Sequence, residues 1–176
     1  MAQIRTREIT EEELNKILGN VERADIKLAL FLEANMGLRI SDTVNITREM
    51  IKNKYVILIE NKTKKENRRD ITADESLMLL NYIDTHSIRF TQNISSFSRA
   101  VQREIKRACL KADIDSTYIS THSFRKFYAT TVYNSTQDIL LVSKLLNHGS
   151  IATTQRYLGV DKEKLKEHSF LGKGIL

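Results

Sequence analysis

The chain has 176 residues and a formal net charge of +6, with 41% hydrophobic and 28% charged residues. These values describe one ordinary globular domain, or a domain with an extension, whose basic surface suits either an anionic partner such as nucleic acid or plain solubility. No stretch is apolar enough to span a membrane, Met1-Ala2-Gln3-Ile4-Arg5 does not open a signal peptide, and the single cysteine excludes an internal disulfide and a multi-cysteine metal site, so a cytoplasmic protein is expected.

Aromatic content is 7% with no Trp. A stacking platform for single-stranded bases is therefore less expected than a grip on a duplex backbone. Residues 1–9 are polar and read as an arm or linker. Thr10-Glu11-Glu12-Glu13 forms a capping box, predicting a helix to about Leu18 that Gly19-Asn20 stops. A second helix is predicted over 23–36, with Ile26, Leu30, Phe31 and Ala34 at helical spacing and Gly37 in the left-handed position after its end. Gly37-Leu38-Arg39-Ile40-Ser41-Asp42 follows, where Ser41 or Asp42 caps a further short helix. Arg39 then lies in a tight connection, either as a surface residue paired with Asp42 or as part of a site.

Tyr55-Val56-Ile57-Leu58-Ile59 is short and rich in β-formers, hence a strand, with Arg68-Arg69-Asp70-Ile71 as its partner. Between them runs a polar hairpin connection, residues 60–67, carrying Lys62, Lys64 and Lys65. Its tip suits either a phosphate backbone or solvent. Thr72-Ala73-Asp74-Glu75 starts a helix whose Leu77 and Leu80 are expected to face the core. The clearest helix covers 97–112, where Phe97, Val101, Ile105, Ala108, Cys109 and Ala112 form one stripe. Cys109 is thus a buried core thiol. Arg99, Arg103, Lys106 and Arg107 occupy the other faces, either lying against DNA or solvated. A helix opens at Thr121 or His122 and runs to about Tyr133, with Phe124, Phe127 and Tyr128 on its apolar side. Another covers 137–146, with Ile139, Val142, Leu145 and Leu146 inward, and ends at Asn147-His148-Gly149-Ser150. A last short helix carries Tyr157 and is closed by Gly159. No proline occurs, so helix stops rely on Gly, Asn and polar clusters.

There is no GxGxxG, no other glycine-rich phosphate loop, no HExxH and no nucleophile elbow. His86, His122, His148 and His168 lack metal-ligand spacing. What remains is a set of cations and one phenol. His122 and Arg125, three residues apart, share one helix face near a helix start, which outlines a phosphate pocket. A free phenol is almost wholly protonated at neutral pH and needs help to act as a nucleophile. Arg39, Lys62, His122, Arg125, His148 and Tyr157 together fit metal-independent phosphoryl transfer. Two arginines offset the charge on the non-bridging oxygens, a lysine protonates the leaving oxygen and a histidine accepts the phenol proton.

These strings resemble the catalytic domain of the tyrosine recombinases, the phage-integrase family. The resemblance covers roughly residues 10–160. Gly37–Asp42 resembles the first-arginine motif, Lys62 the hairpin lysine and His122-Ser-Phe-Arg125 the His-x-x-Arg box. Leu145–Tyr157, with His148, resembles the closing segment. The resemblance implies an α+β fold, mainly helical with a small antiparallel sheet. It implies that Tyr157 attacks a DNA phosphodiester to give a 3′-phosphotyrosyl link and a 5′-hydroxyl. Arg39 and Arg125 would hold the phosphate, His122 act as general base, Lys62 as general acid, and His148 hydrogen-bond the phosphate. Asp42 would orient the other groups. Lys62 is preferred to Lys64 and Lys65 by its place in the hairpin. Lys64, Lys65, Arg99 and Arg103 become candidate DNA contacts.

The phosphotyrosine conserves the bond energy, so neither metal nor ATP is expected. The expected partner is double-stranded DNA near the nucleoid, bound by a dimer to tetramer and no membrane. Two departures stand out. Asn147 replaces the family's usual Gly. Family members also carry an N-terminal DNA-binding domain, so an excised fragment or a stand-alone domain is expected here. The tail, 161–176, with Phe170-Leu171, is expected to dock on a neighbouring protomer or on its own domain. Two other functions are compatible with these strings: a catalytically silent DNA-binding regulator on the same fold, and a DNA-relaxing enzyme of the topoisomerase type.

Overall fold

The computed structural model describes residues 6–59, 66–89 and 93–158. The chain divides into two compact units, Met1–Tyr128 and Ala129–Leu176. The first unit is mainly helical and holds one two-stranded antiparallel sheet.

Helix α1 (Glu11–Asn20) starts with the anticipated capping box: the Glu13 N–H donates to Thr10 Oγ1 at 3.1 Å and the Thr10 N–H to Glu13 Oε2 at 2.9 Å. It continues two residues past Leu18, so Gly19 and Asn20 form its last turn. Of the expected arm, residues 6–9 are described, and they are fastened to the unit. The Arg7 N–H donates to the Tyr118 carbonyl at 2.9 Å, Arg7 pairs with Glu13 at 2.7 Å, and Ile9 is buried.

Helix α2 (Ala24–Met36) is the axis of this unit. Its apolar residues surround it, which is the signature of a helix buried on more than one side. One side carries Ile26, Ala29, Leu30 and Ala34. They pack in a cluster with Leu14 and Ile17 of α1, with Phe97, Val101, Ile105, Ala108 and Cys109 of α6 (Ile94–Lys111), and with Phe124 of α7 (Thr121–Thr136). The other side carries Leu28 and Leu32, which pack with Leu38, Ile51 of α4 (Arg48–Lys52), Val56 of β1 (Tyr55–Ile59), and Leu79 and Ile83 of α5 (Ala73–Thr85). Burial raises the pKa of the Cys109 thiol, in keeping with a core residue.

Strand β2 (Glu66–Asp70) pairs antiparallel with β1, Tyr55 opposite Asp70 and Val56 opposite Arg69. The connecting segment with Lys62, Lys64 and Lys65 lies outside the described residues, as does the tail from 159. Helix α4 had no counterpart among the sequence expectations; Thr47 caps it, accepting the Met50 N–H at 3.2 Å. In α5 the Thr72–Glu75 capping box is present, but Leu77 does not face the core: it is 69% exposed. The inward stripe is Ser76, Leu79 and Ile83: the Ser76 hydroxyl donates to the Ile51 carbonyl at 2.7 Å, and Leu79 and Ile83 pack in the second cluster. Leu80, by contrast, is half-buried against the second cluster, as expected.

A charged knot ties the α1–α2 connection to α6. Glu104 accepts the Glu22 N–H at 2.7 Å and two bonds from Arg107, at 2.6 and 2.9 Å, and these hold its carboxyl down at about 2.

Helix α7 begins in the first unit and ends in the second. The second unit continues with α8 (Ile139–Leu145) and α9 (Ile151–Leu158). Asp138 caps α8, accepting the N–H groups of Leu140 and Leu141, each at 2.9 Å. Val142 and Leu146 are fully buried, Ile139 and Leu145 half-buried. No described helix is long and apolar enough to cross a membrane.

Leu30→Ala is expected to cost about 2–5 kcal/mol of stability, whereas the exposed Leu77→Ala should change it by less than about 0.5 kcal/mol; urea unfolding of both variants checks this. The Glu104 carboxyl is depressed in the folded chain, so its contribution is present above its unfolded pKa and is lost as pH falls from about 5 toward 2. Glu104→Gln should accordingly flatten the loss of stability over that interval in an acid titration.

Candidate active site

The site in the first unit is built around the C-terminal end of α2. A helix end leaves carbonyls without intrahelical partners and concentrates partial negative charge. Gly37 ends α2 in the left-handed conformation, φ 62°, with its N–H on the Glu33 carbonyl at 3.0 Å. Two guanidinium groups then take the last exposed carbonyls: Arg125 donates to the carbonyl of Gly37, and Arg69 to that of Met36. Arg125 comes from the second turn of α7 and is only 4% exposed.

Arg69 comes from β2. Strand alternation separates it from its neighbour: Arg68 lies outward over the Tyr55 ring at 4.5 Å, while Arg69, paired with the fully buried Val56, turns inward. Burial lowers the Arg69 pKa, opposed by Tyr128, to whose hydroxyl it is hydrogen-bonded, and by Asp42.

Directly after Gly37 the chain turns into α3 (Ile40–Thr43). Asp42 does cap this helix, but from inside it: its carboxylate accepts the Arg39 N–H at 2.9 Å. The carboxylate is thus engaged by the backbone of Arg39, and the Arg39 side chain is half-buried. Below lies Glu33, 2% exposed. Its carboxyl is hydrogen-bonded to the backbone of Ile40, and its Oε2 has no hydrogen-bond partner among the described residues. Burial raises its pKa well above the usual carboxylate range; Asp42 adds to this and Arg125 opposes it.

His122 stands in the first turn of α7, one turn before Arg125. Its ring keeps contact with solvent, yet the protein packed around it lowers its pKa, and the guanidinium groups of Arg125 and Arg39 lower it further. That shared influence shows Arg39, His122 and Arg125 gathered in one place, and it leaves His122 as a neutral imidazole able to accept a proton near neutral pH. The start of α7 is fixed by Ser123, whose hydroxyl accepts the Ser120 N–H at 3.2 Å and donates to the Arg7 carbonyl at 2.7 Å.

In the second unit, α8 ends in a Schellman motif. The His148 N–H donates to the Ser143 carbonyl and the Asn147 N–H to that of Lys144, both at 3.0 Å. Asn147 carries the left-handed backbone of that motif, φ 51°. Asparagine is among the few residues besides glycine that adopt it readily, which accounts for the Asn in place of Gly. The motif delivers His148 beside α9. Its Nδ1 lies 2.9 Å from Thr154 Oγ1, and its ring meets that of Tyr157 edge to face, centroids 5.5 Å apart at 82°.

The expected residues are therefore grouped as follows: Arg39, His122, Arg125 and Asp42 together in the first unit, His148 and Tyr157 together in the second. Lys62, Lys64 and Lys65 lie outside the described residues. Arg99 and Arg103 are exposed on α6. Glu33, Arg69 and Thr154 were missed. The available signals were a lone acid inside the apolar run Leu30–Ala34, the in–out alternation along β2, and the one-turn spacing of Thr154 from Tyr157.

The model of the phage integrase family matches residues 7–164. The probable integrase/recombinase YoeC of Bacillus subtilis is 32% identical over 164 residues, covering 86% of this chain and 86% of that protein. Tyrosine recombinase XerH of Campylobacter jejuni is 28% identical over 178 residues, covering 90% of this chain but 49% of its own length, so the chain spans about half of that relative. Among solved structures, the catalytic domain of bacteriophage HP1 integrase superposes with a TM-score of 0.62 at 18% identity, covering 96% of each chain. The chain has the mainly helical fold with a small antiparallel sheet that this likeness carries, and it belongs to the phage integrase family.

Proposed function

We propose that this chain is the catalytic domain of a site-specific DNA recombinase that cuts and rejoins duplex DNA through Tyr157. The observation that carries the reading is the gathering of Arg39, Arg125 and His122 on one spot in the first unit, together with the contact of His148 with Tyr157 in the second. Duplex DNA gripped largely through its phosphates is the partner, and the protein works as a dimer to tetramer on it.

In the proposed reaction, Arg39 and Arg125 bind the non-bridging oxygens of the scissile phosphate, and their positive field offsets the charge that grows there in the transition state. His122 takes the proton of the Tyr157 hydroxyl as the phenol oxygen attacks phosphorus. The bond from phosphorus to the 5′-oxygen breaks, and that oxygen takes a proton from Lys62. His148 hydrogen-bonds the phosphate. The 3′-phosphotyrosyl link keeps the phosphodiester energy, and attack by the 5′-hydroxyl of another strand reverses the steps. Asp42 and Glu33 act on the backbone around Arg39 and do not react.

On a nicked duplex that lets the freed strand diffuse away, the chain should accumulate a covalent protein–DNA adduct, and Tyr157→Phe should abolish it. Specific duplex binding without any adduct would point instead to a DNA-binding regulator. Duplex affinity should drop steeply as salt rises, because Lys and Arg contacts release condensed counterions; an affinity that stays level from low to high salt contradicts a phosphate grip.

A further inference from the structure

We infer that Thr154 is a positioning residue for His148, its hydroxyl donating to Nδ1 and so holding the neutral ring in the tautomer that carries its proton on Nε2. The inference deepens the recombinase reading and rests on it for the role of His148 at the phosphate.

Thr154 is fully buried on α9, and its Oγ1 lies 2.9 Å from His148 Nδ1. The ring is approached from two further sides. Its backbone is locked by the Schellman motif that ends α8, and its edge-to-face contact with Tyr157 sets the ring plane. Thr154 and Tyr157 are three residues apart on α9 and so occupy one face. The hydroxyl that fixes the imidazole and the phenol it touches are thereby carried by one rigid turn.

A neutral imidazole has one donor and one acceptor nitrogen, and the partner of one nitrogen decides the role of the other. A phosphate oxygen only accepts hydrogen bonds, so a neutral His148 serves it only through an Nε2–H. That calls for a donor at Nδ1, and the Thr154 hydroxyl lies at hydrogen-bonding distance with a proton to give. A carbonyl or carboxylate there would impose the opposite tautomer and turn a lone pair toward the phosphate.

The test compares the wild-type chain with Thr154→Val, which keeps the shape and removes the hydroxyl, and Thr154→Ser, which keeps the hydroxyl. Nitrogen-15 NMR of the histidine rings at neutral pH reads the tautomer directly. The expected result is a proton on Nε2 of His148 in the wild type and in Thr154→Ser, and a loss of that preference in Thr154→Val. Adduct formation should fall about tenfold in Thr154→Val, the size of one lost hydrogen bond, and return in Thr154→Ser. A wild-type ring protonated on Nδ1, or a tautomer unchanged by Thr154→Val, overturns the assignment. Should Thr154→Val fail to fold, the wild-type tautomer and the Thr154→Ser spectrum decide it alone. The spectra need no DNA cleavage, so a chain that forms no adduct sinks the recombinase reading while the tautomer still decides the hydroxyl's role.

Discussion

The structure of the first unit depends on how the end of α2 is held. The carbonyls of Met36 and Gly37 would otherwise be left unsatisfied at the negative end of the helix, and two guanidinium groups from distant segments close on them. A sheet strand supplies one and α7 the other. The same closure turns the chain into α3 and sets Arg39 beside His122 and Arg125. Capping a helix and assembling a cationic site are here one event, which is why the site falls at the junction of the two apolar clusters packed on opposite sides of α2.

Concentrating positive charge in a packed region is costly unless something offsets it, and a fully ionised acid nearby would weaken the field the cations provide. The two acids of the site are placed differently. Asp42 places its carboxylate on the Arg39 backbone, where it fixes conformation. Glu33 is fully buried, its pKa raised well above the usual carboxylate range, and its carboxyl is hydrogen-bonded to the Ile40 backbone. In the second unit the equivalent economy is conformational. A left-handed asparagine, a buried hydroxyl and an aromatic contact constrain one histidine from three directions.

Much of this was legible in the amino-acid order, because it rests on local rules. The Thr10 and Thr72 capping boxes, the left-handed Gly37, the short run of β-formers at 55–59 and the stripe from Phe97 to Cys109 each follow from residue types and spacing within a short stretch. What escaped depends on distant partners. Leu77 and Leu79 are equally apolar, and the bond from Ser76 to Ile51 and the packing of Leu79 and Ile83 in the second cluster go with the face that turns inward. Glu33 looks like a helix former with a solvated carboxylate until Arg125 and the Ile40 backbone are brought to it. Arg69 looks like the twin of Arg68 until the sheet register assigns it the buried side.

Arg125 closes the end of α2 with a side chain of particular shape. Its guanidinium gives one N–H to the Gly37 carbonyl, and its planar fork carries five donors set at fixed angles. A lysine at that position has the charge but only a single nitrogen at its tip, which in the proposed reaction would have to choose between closing the helix and meeting the phosphate. On the proposed reaction the position calls for the geometry of arginine as well as its charge, because helix end and phosphate would draw on separate arms of the same side chain.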